Sequence, residues 1–160
     1  MIYENYCSFE VSKLLKEIGF NEPCLKDYWY SDKELHSLSY GHLSYHKNED
    51  LNTYHQYNKC TAPTYGGVID WLKEKYNIWT YCCPSNLKEF GEWKGGAYWI
   101  KESVPIIFNN SSHYVYSNEP SEVIEQILLY LLKNVIQGTE NCCTDRKNLK
   151  EEDDDDDWIL

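Results

Sequence analysis

The groups in this chain best suited to chemistry are five His and seven Cys. His42 and His46 stand four apart in a segment that reads as a strand. There, residues i and i+4 share a face but lie roughly 13 Å apart, too far for one ion. Cys82-Cys83 and Cys142-Cys143 are adjacent pairs, without the two-residue spacer of a zinc or redox motif. No metal ligand and no cofactor is assigned. A nucleophilic thiol needs a helix N-terminus or a basic neighbour to hold it as thiolate. Cys60, four residues ahead of Thr64 and five after His55, is the one arrangement of that kind, and it lacks a third group to orient the base. Nothing resembles a nucleophile elbow, a P-loop or a dinucleotide fingerprint, so no catalytic residue is assigned.

Binding chemistry is better represented. With 15 Tyr and 6 Trp, the chain is rich in rings that fill a core or stack on a ligand. Trp93, Tyr98 and Trp99, with Trp79 and Tyr81, are a set able to stack on a base or a sugar. Gly66 and Gly67 permit close approach of a backbone or ligand. Gly66, Gly67, Trp93 and Tyr98 are therefore the candidate ligand site, for which a nucleotide is the small molecule considered. Gly95-Gly96 reads as a hairpin turn between Trp93 and Tyr98.

Residues 151–160 are a second binding feature. Seven carboxylates precede Trp158, Ile159 and Leu160. Carboxylates in that number cannot enter a core without losing hydration, and a purely solubilising tail needs no apolar end. Asp155, Asp156, Asp157, Trp158, Ile159 and Leu160 are thus the candidate contacts to a host or phage protein carrying a basic groove. A disordered solubility segment is the plainer reading. Charge attraction is screened beyond about 8 Å at physiological salt, so the apolar end has to supply persistence.

Charge and hydropathy exclude other classes. Of the formal −11, residues 151–157 supply 7 of 26 acids, which leaves 19 acids against 15 bases. With no basic run, duplex nucleic acid is excluded as a direct partner. No apolar run reaches the ~18 residues of a membrane span, and the first residues lack a signal-peptide pattern. The expectation is a cytoplasmic protein with reduced thiols.

Three helices must position these groups. Ser8 caps the first, Phe9 to Ile18, whose Val11, Leu14, Leu15 and Ile18 form one stripe, with Gly19 as left-handed stop. Thr64 caps the second, which runs through Val68, Trp71 and Leu72 to Tyr76 and stops at Asn77. Asn118 or Ser117 caps the third, with Pro120 in its first turn and Gly138 at its end. Its stripe of Val123, Ile124, Ile127, Leu128, Leu131, Leu132, Val135 and Ile136 marks the core helix. Strands are predicted over 24–30, 38–45, 78–83, 96–102, 105–108 and 113–116, with 49–58 a polar loop. The fold class is α+β, three helices packed on a mostly antiparallel sheet. Residues 1–140 form a single domain and 141–160 a flexible acidic tail.

The run 8–24, with Ala62-Pro63-Thr64, the segment 71–78 and the closing helix, resembles a family of small uncharacterised proteins of gut bacteria and their phages. The layout is similar to the phage ABA-sandwich domains. The acidic residues before an apolar end also resemble the C-terminal tip of single-stranded-DNA-binding proteins, without the terminal Phe or the barrel body. The resemblance implies a phage or prophage origin and carries no site residues. The combined expectation is a non-enzymatic accessory protein that binds, and inhibits or recruits, a host protein. A small-ligand binder and a thiol-dependent enzyme are the alternatives.

Overall fold

The computed structural model describes residues 5–37, 45–53, 59–108 and 112–138. Helix α1, Phe9–Glu17, starts where Ser8 Oγ accepts the Val11 N–H at 3.3 Å. Its end is a Schellman turn: Gly19 adopts φ +81°, and the Phe20 N–H reaches back to Leu15 O at 2.8 Å. The chain continues into β1, Lys26–Trp29, and β2, Leu35–Ser37. A short α2, Asn48–Thr53, and β3, Lys59–Thr61, follow. These strands form one antiparallel sheet in the order β2-β1-β3.

Helix α3, Tyr65–Tyr76, is capped by Thr64, which accepts from Gly67 N, and ends at Asn77 in the left-handed region. It turns directly into β4, Ile78–Pro84, which pairs antiparallel with β5, Trp93–Trp99, along its whole length. The other edge of β5 is shared by β6, Val104–Pro105, and β7, Val115–Ser117. Helix α4, Pro120–Tyr130, continues as a π-helix over Leu131–Ile136. The protein is therefore α+β; among the described residues there are four helices rather than three and two antiparallel sheets rather than one.

Most apolar side chains meet in one core. Val11 and Leu15 of α1, and Val68 and Leu72 of α3, converge with the α4 stripe from Val123 to Ile136 over Ile78 and Ala97 of the sheet. Each buried Leu or Ile contributes roughly 1.5–3 kcal/mol. Gly95 is where α4 meets the sheet: a Cβ there would lie 2.6 Å from Val123 Cγ1 and 2.5 Å from Tyr81 O.

Several expectations are corrected. Gly95 and Gly96 lie inside β5, not in a turn, because Trp93–Trp99 pairs continuously with β4. The α4 cap is Glu119, which makes no side-chain cap bond; Ser117 Oγ instead donates to Glu122. Helix persists through Gly138, the last described residue, so Gly138 is not a left-handed stop within the described region. Part of the polar stretch 49–58 forms α2, and its neighbour forms β3. Residues 38–44 of the predicted strand 38–45 lie outside the described residues.

One carboxylate ties three helices together. Glu125 of α4 accepts a hydrogen bond from Ser8 Oγ and another from the Tyr65 hydroxyl, the latter at 2.8 Å. Ser8 caps α1 and Tyr65 opens α3. The bridge Tyr6↔Thr64 holds those two starts side by side. Glu125→Ala leaves two hydroxyls without their acceptor. It is expected to lower unfolding stability by about 1–3 kcal/mol, read as a lower urea midpoint with unchanged slope.

Candidate functional site

The predicted ligand residues do not converge. Trp93 and Tyr98 are an odd number of positions apart on β5, so they face opposite sides of the sheet. Trp93 and Trp99 pack against the core with Ala97 between them. Tyr98 stands on the outer face, opposite Trp79 on β4. Gly66 and Gly67 are exposed in the first turn of α3. Gly66 lines a small cleft with Tyr65, Pro120 and Ile124, which includes neither Trp93 nor Tyr98. Gly67 already donates its N–H to Thr64. Asp155, Asp156, Asp157, Trp158, Ile159 and Leu160 lie outside the described residues, as do His42 and His55.

Cys60 is not a poised nucleophile. It sits fully buried in β3, not at a helix start, and burial pushes its thiol up to about 12. Burial also holds Cys24 at about 11 and raises Cys7 and Cys82. A thiol this reluctant to ionise is a poor nucleophile at neutral pH. Alkylation of the native protein at pH 7, mapped by mass spectrometry, is expected to spare Cys7, Cys24 and Cys60 and to reach the half-buried Cys83. Rapid labelling of Cys60 would contradict this.

Two polar clusters escaped the sequence reading. Asp32, Glu34 and His36 bring ligand atoms within 4.8 Å of one another at the β1–β2 turn. They already bond among themselves. Asp32 Oδ1 accepts from the Glu34 N–H at 2.8 Å, which lowers the Asp32 pKa, and Oδ2 lies 3.1 Å from His36 Nε2. Their alternation in the sequence was the available signal. The second cluster is Asp27, buried in β1, with Lys59 Nζ 3.5 Å away; that ammonium also lies 3.9 Å from the Trp29 ring centroid.

Burial raises the Asp27 pKa, and Lys59 offsets only part of that. The folded state therefore binds this proton more tightly than the unfolded chain. The resulting stability is fully present below about pH 4 and is lost as pH rises through the elevated folded-state value. Asp27→Asn keeps the shape without the charge. Its stability relative to the parent protein is expected to increase from pH 4 to pH 7 in urea titrations. A pH-independent difference would contradict the sign.

A groove of about 840 Å³ lies between β7 and α4. Phe90, Phe108, Tyr114 and Tyr116 line the strand side, and Gln126, Leu129, Tyr130 and Asn134 the helix side. The rings form a chain of contacts: Phe90 to Tyr116 at 5.6 Å, Tyr116 to Tyr114 at 6.3 Å, and Phe108 to Tyr130 at 5.0 Å between centroids. Phe90 is 61% exposed and Tyr114 41%. The helix wall is where α4 becomes a π-helix, a geometry that often marks functional sites. Among the groove's lining residues there is no acid, and Lys133 is the one formal cation. Lys94 reaches over the Tyr114 ring at 5.2 Å.

The strand side also presents backbone. Ile100 N donates to Asn77 O, so even-numbered residues of β5 face β4 and odd-numbered ones face β7. Trp93↔Ser117 and Gly95↔Val115 are then the bonded pairs. Tyr116, between them, turns its N–H and C=O away from β5. Tyr114 is already closed off, its N–H bonding Ser112 Oγ at 3.1 Å.

No family model, curated protein or solved structure matches this chain.

Proposed function

We propose that this protein works by binding a segment of another protein in the groove between β7 and α4. What carries the reading is the pairing of an outward-facing backbone, at Tyr116, with an adjacent aromatic trough of about 840 Å³. An extended peptide can add to a strand edge through main-chain hydrogen bonds while alternate side chains enter pockets. A trough of that size, mostly apolar with a few placed polar groups, suits this use. In the wider reading the protein is a non-enzymatic accessory of phage or prophage type, acting in the host cytoplasm on a host or phage protein. Residues 155–160 are its second contact, offered to a basic groove of the partner.

A small-ligand reading has one observation of its own. The Gln126 and Asn134 amides stand among aromatic rings, a combination that reads the edge and face of a nucleobase. A thermal-shift screen against nucleotides separates the two readings.

The main test uses peptides selected by display against the full chain. Replacing two exposed groove rings, Phe90→Ala with Tyr114→Ala, is expected to weaken selected peptides at least about tenfold, or about 1.4 kcal/mol. Because both rings are exposed, the melting temperature should hardly move. Peptides that bind the double variant as tightly as the parent would place recognition elsewhere.

A further inference from the structure

The lining of the β7–α4 groove sets the chemistry of its guest. We infer that the guest is an extended segment of another protein with two apolar, uncharged residues two positions apart. These two sit against the α4 wall, and the residue between them pairs with Tyr116. The inference rests on the groove being a peptide site, and it adds the chemical class of the peptide.

Charge is the first argument. No acid is among the groove's lining residues, and its lining cation, Lys133, is already bonded to Glu10. A Lys or Arg of the guest entering the trough finds no carboxylate in that lining. An Asp or Glu finds an ammonium whose charge is already matched. Either would give up hydration without a partner, a cost that apolar contact does not offset. The exposed Gln126 and Asn134 on the helix wall carry neutral amides. The side chain complementary to such a lining is uncharged, and rings such as Phe90 and Tyr114 favour one that is apolar.

Strand parity is the second argument. Tyr116 pairs with Lys94 and shares its face of the sheet, whereas Val115 packs against the core on the α4 side. A guest strand beside β7 continues that alternation. Its residue opposite Tyr116 stands on the outer face, where Phe90 packs against Tyr116 at 5.6 Å. The residues on either side of it turn toward α4, roughly 6.6–6.8 Å apart. The wall they meet is Gln126, Leu129, Tyr130, Lys133 and Asn134, one face of the helix by its three- and four-residue spacing. Leu129 and Tyr130 form the middle turn of that face, and Phe108 packs on Tyr130 at 5.0 Å. The trough is therefore apolar at its centre, with an amide at each end. Because β7 is three residues long and the Tyr114 N–H is bonded to Ser112 Oγ, main-chain pairing is brief. The two inward side chains must then supply most of the selectivity.

The test uses the full chain and peptides selected by display against it. Selected sequences are expected to share a pair of Val, Ile, Leu or aromatic residues separated by one position, with no Asp, Glu, Lys or Arg at either. In fluorescence anisotropy with the tightest peptide, changing either of the pair to Asp or to Lys should weaken binding at least about tenfold. The same changes at the residue between them should cost less than about threefold, because that residue stays near solvent. Gln126→Glu, an exposed change, puts an acid on the helix wall. It is expected to tighten one of the Lys-substituted peptides at least about threefold and to weaken the matching Asp-substituted one further. Charge tolerated at both inward positions, or no tightening on Gln126→Glu, would overturn the inference. A parent chain that dimerises with concentration, and stops doing so on Phe90→Ala with Tyr114→Ala, would also overturn it, since a second copy would be the occupant. Failure of the guest and failure of the groove are distinguishable. Peptides that need Phe90 and Tyr114 yet accept charge leave the groove standing and remove its stated guest. Peptides indifferent to Phe90 and Tyr114 remove both.

Discussion

Helix α4 lies against β5 because residue 95 has no side chain. Val123 and Ile127 come within 2.6 Å and 2.9 Å of where a Cβ would stand. Interiors pack too densely to absorb such an intrusion without moving an element. Seating α4 there brings its apolar stripe onto the sheet, with α1 and α3 completing the core. It also fixes the separation of α4 from β7, and that separation is the groove. The Glu125 carboxylate, gripped by hydroxyls from the starts of α1 and α3, holds the other side of the same helix.

The consequence is a division of labour along α4. Val123, Ile127, Leu128 and Leu131 are buried, while Gln126, Lys133 and Asn134 remain exposed on the groove side. The π-helical stretch begins just after Tyr130, whose hydroxyl donates to Ile107 O at 2.9 Å. The excursion between β6 and β7, closed by Phe108 N donating to Ser112 O, is thereby pinned to the helix. Strand edge, loop and helix thus form one continuous trough.

Local signals in the sequence were legible where the physics is local. Ser8 and Thr64 cap their helices, and Gly19 and Asn77 end them in left-handed conformations, because each feature involves residues within one turn. The core stripe of α4 was legible for the same reason. Gly95-Gly96 misled because two glycines resemble a turn, and their true cause, the approach of a helix distant in sequence, leaves no local trace. The helix cap assigned to Asn118 or Ser117 failed similarly, since Ser117 turns to Glu122. The Trp93 and Tyr98 pairing failed on strand parity, which register alone reveals. The groove was not legible at all. Phe90, Tyr116 and Gln126 meet through the β5–β7 pairing and the seating of α4, both long-range events.

Everything functional rests on Tyr116 offering its backbone to a guest strand. Residue-resolved amide hydrogen exchange measures that directly, on the protein alone and with a selected peptide bound. The expected result is slow exchange at Val115 and Ser117 throughout, and fast exchange at Tyr116 that slows only when the peptide is present. Slow exchange at Tyr116 in a free, unoccupied groove, or no change there with peptide bound, would contradict the account.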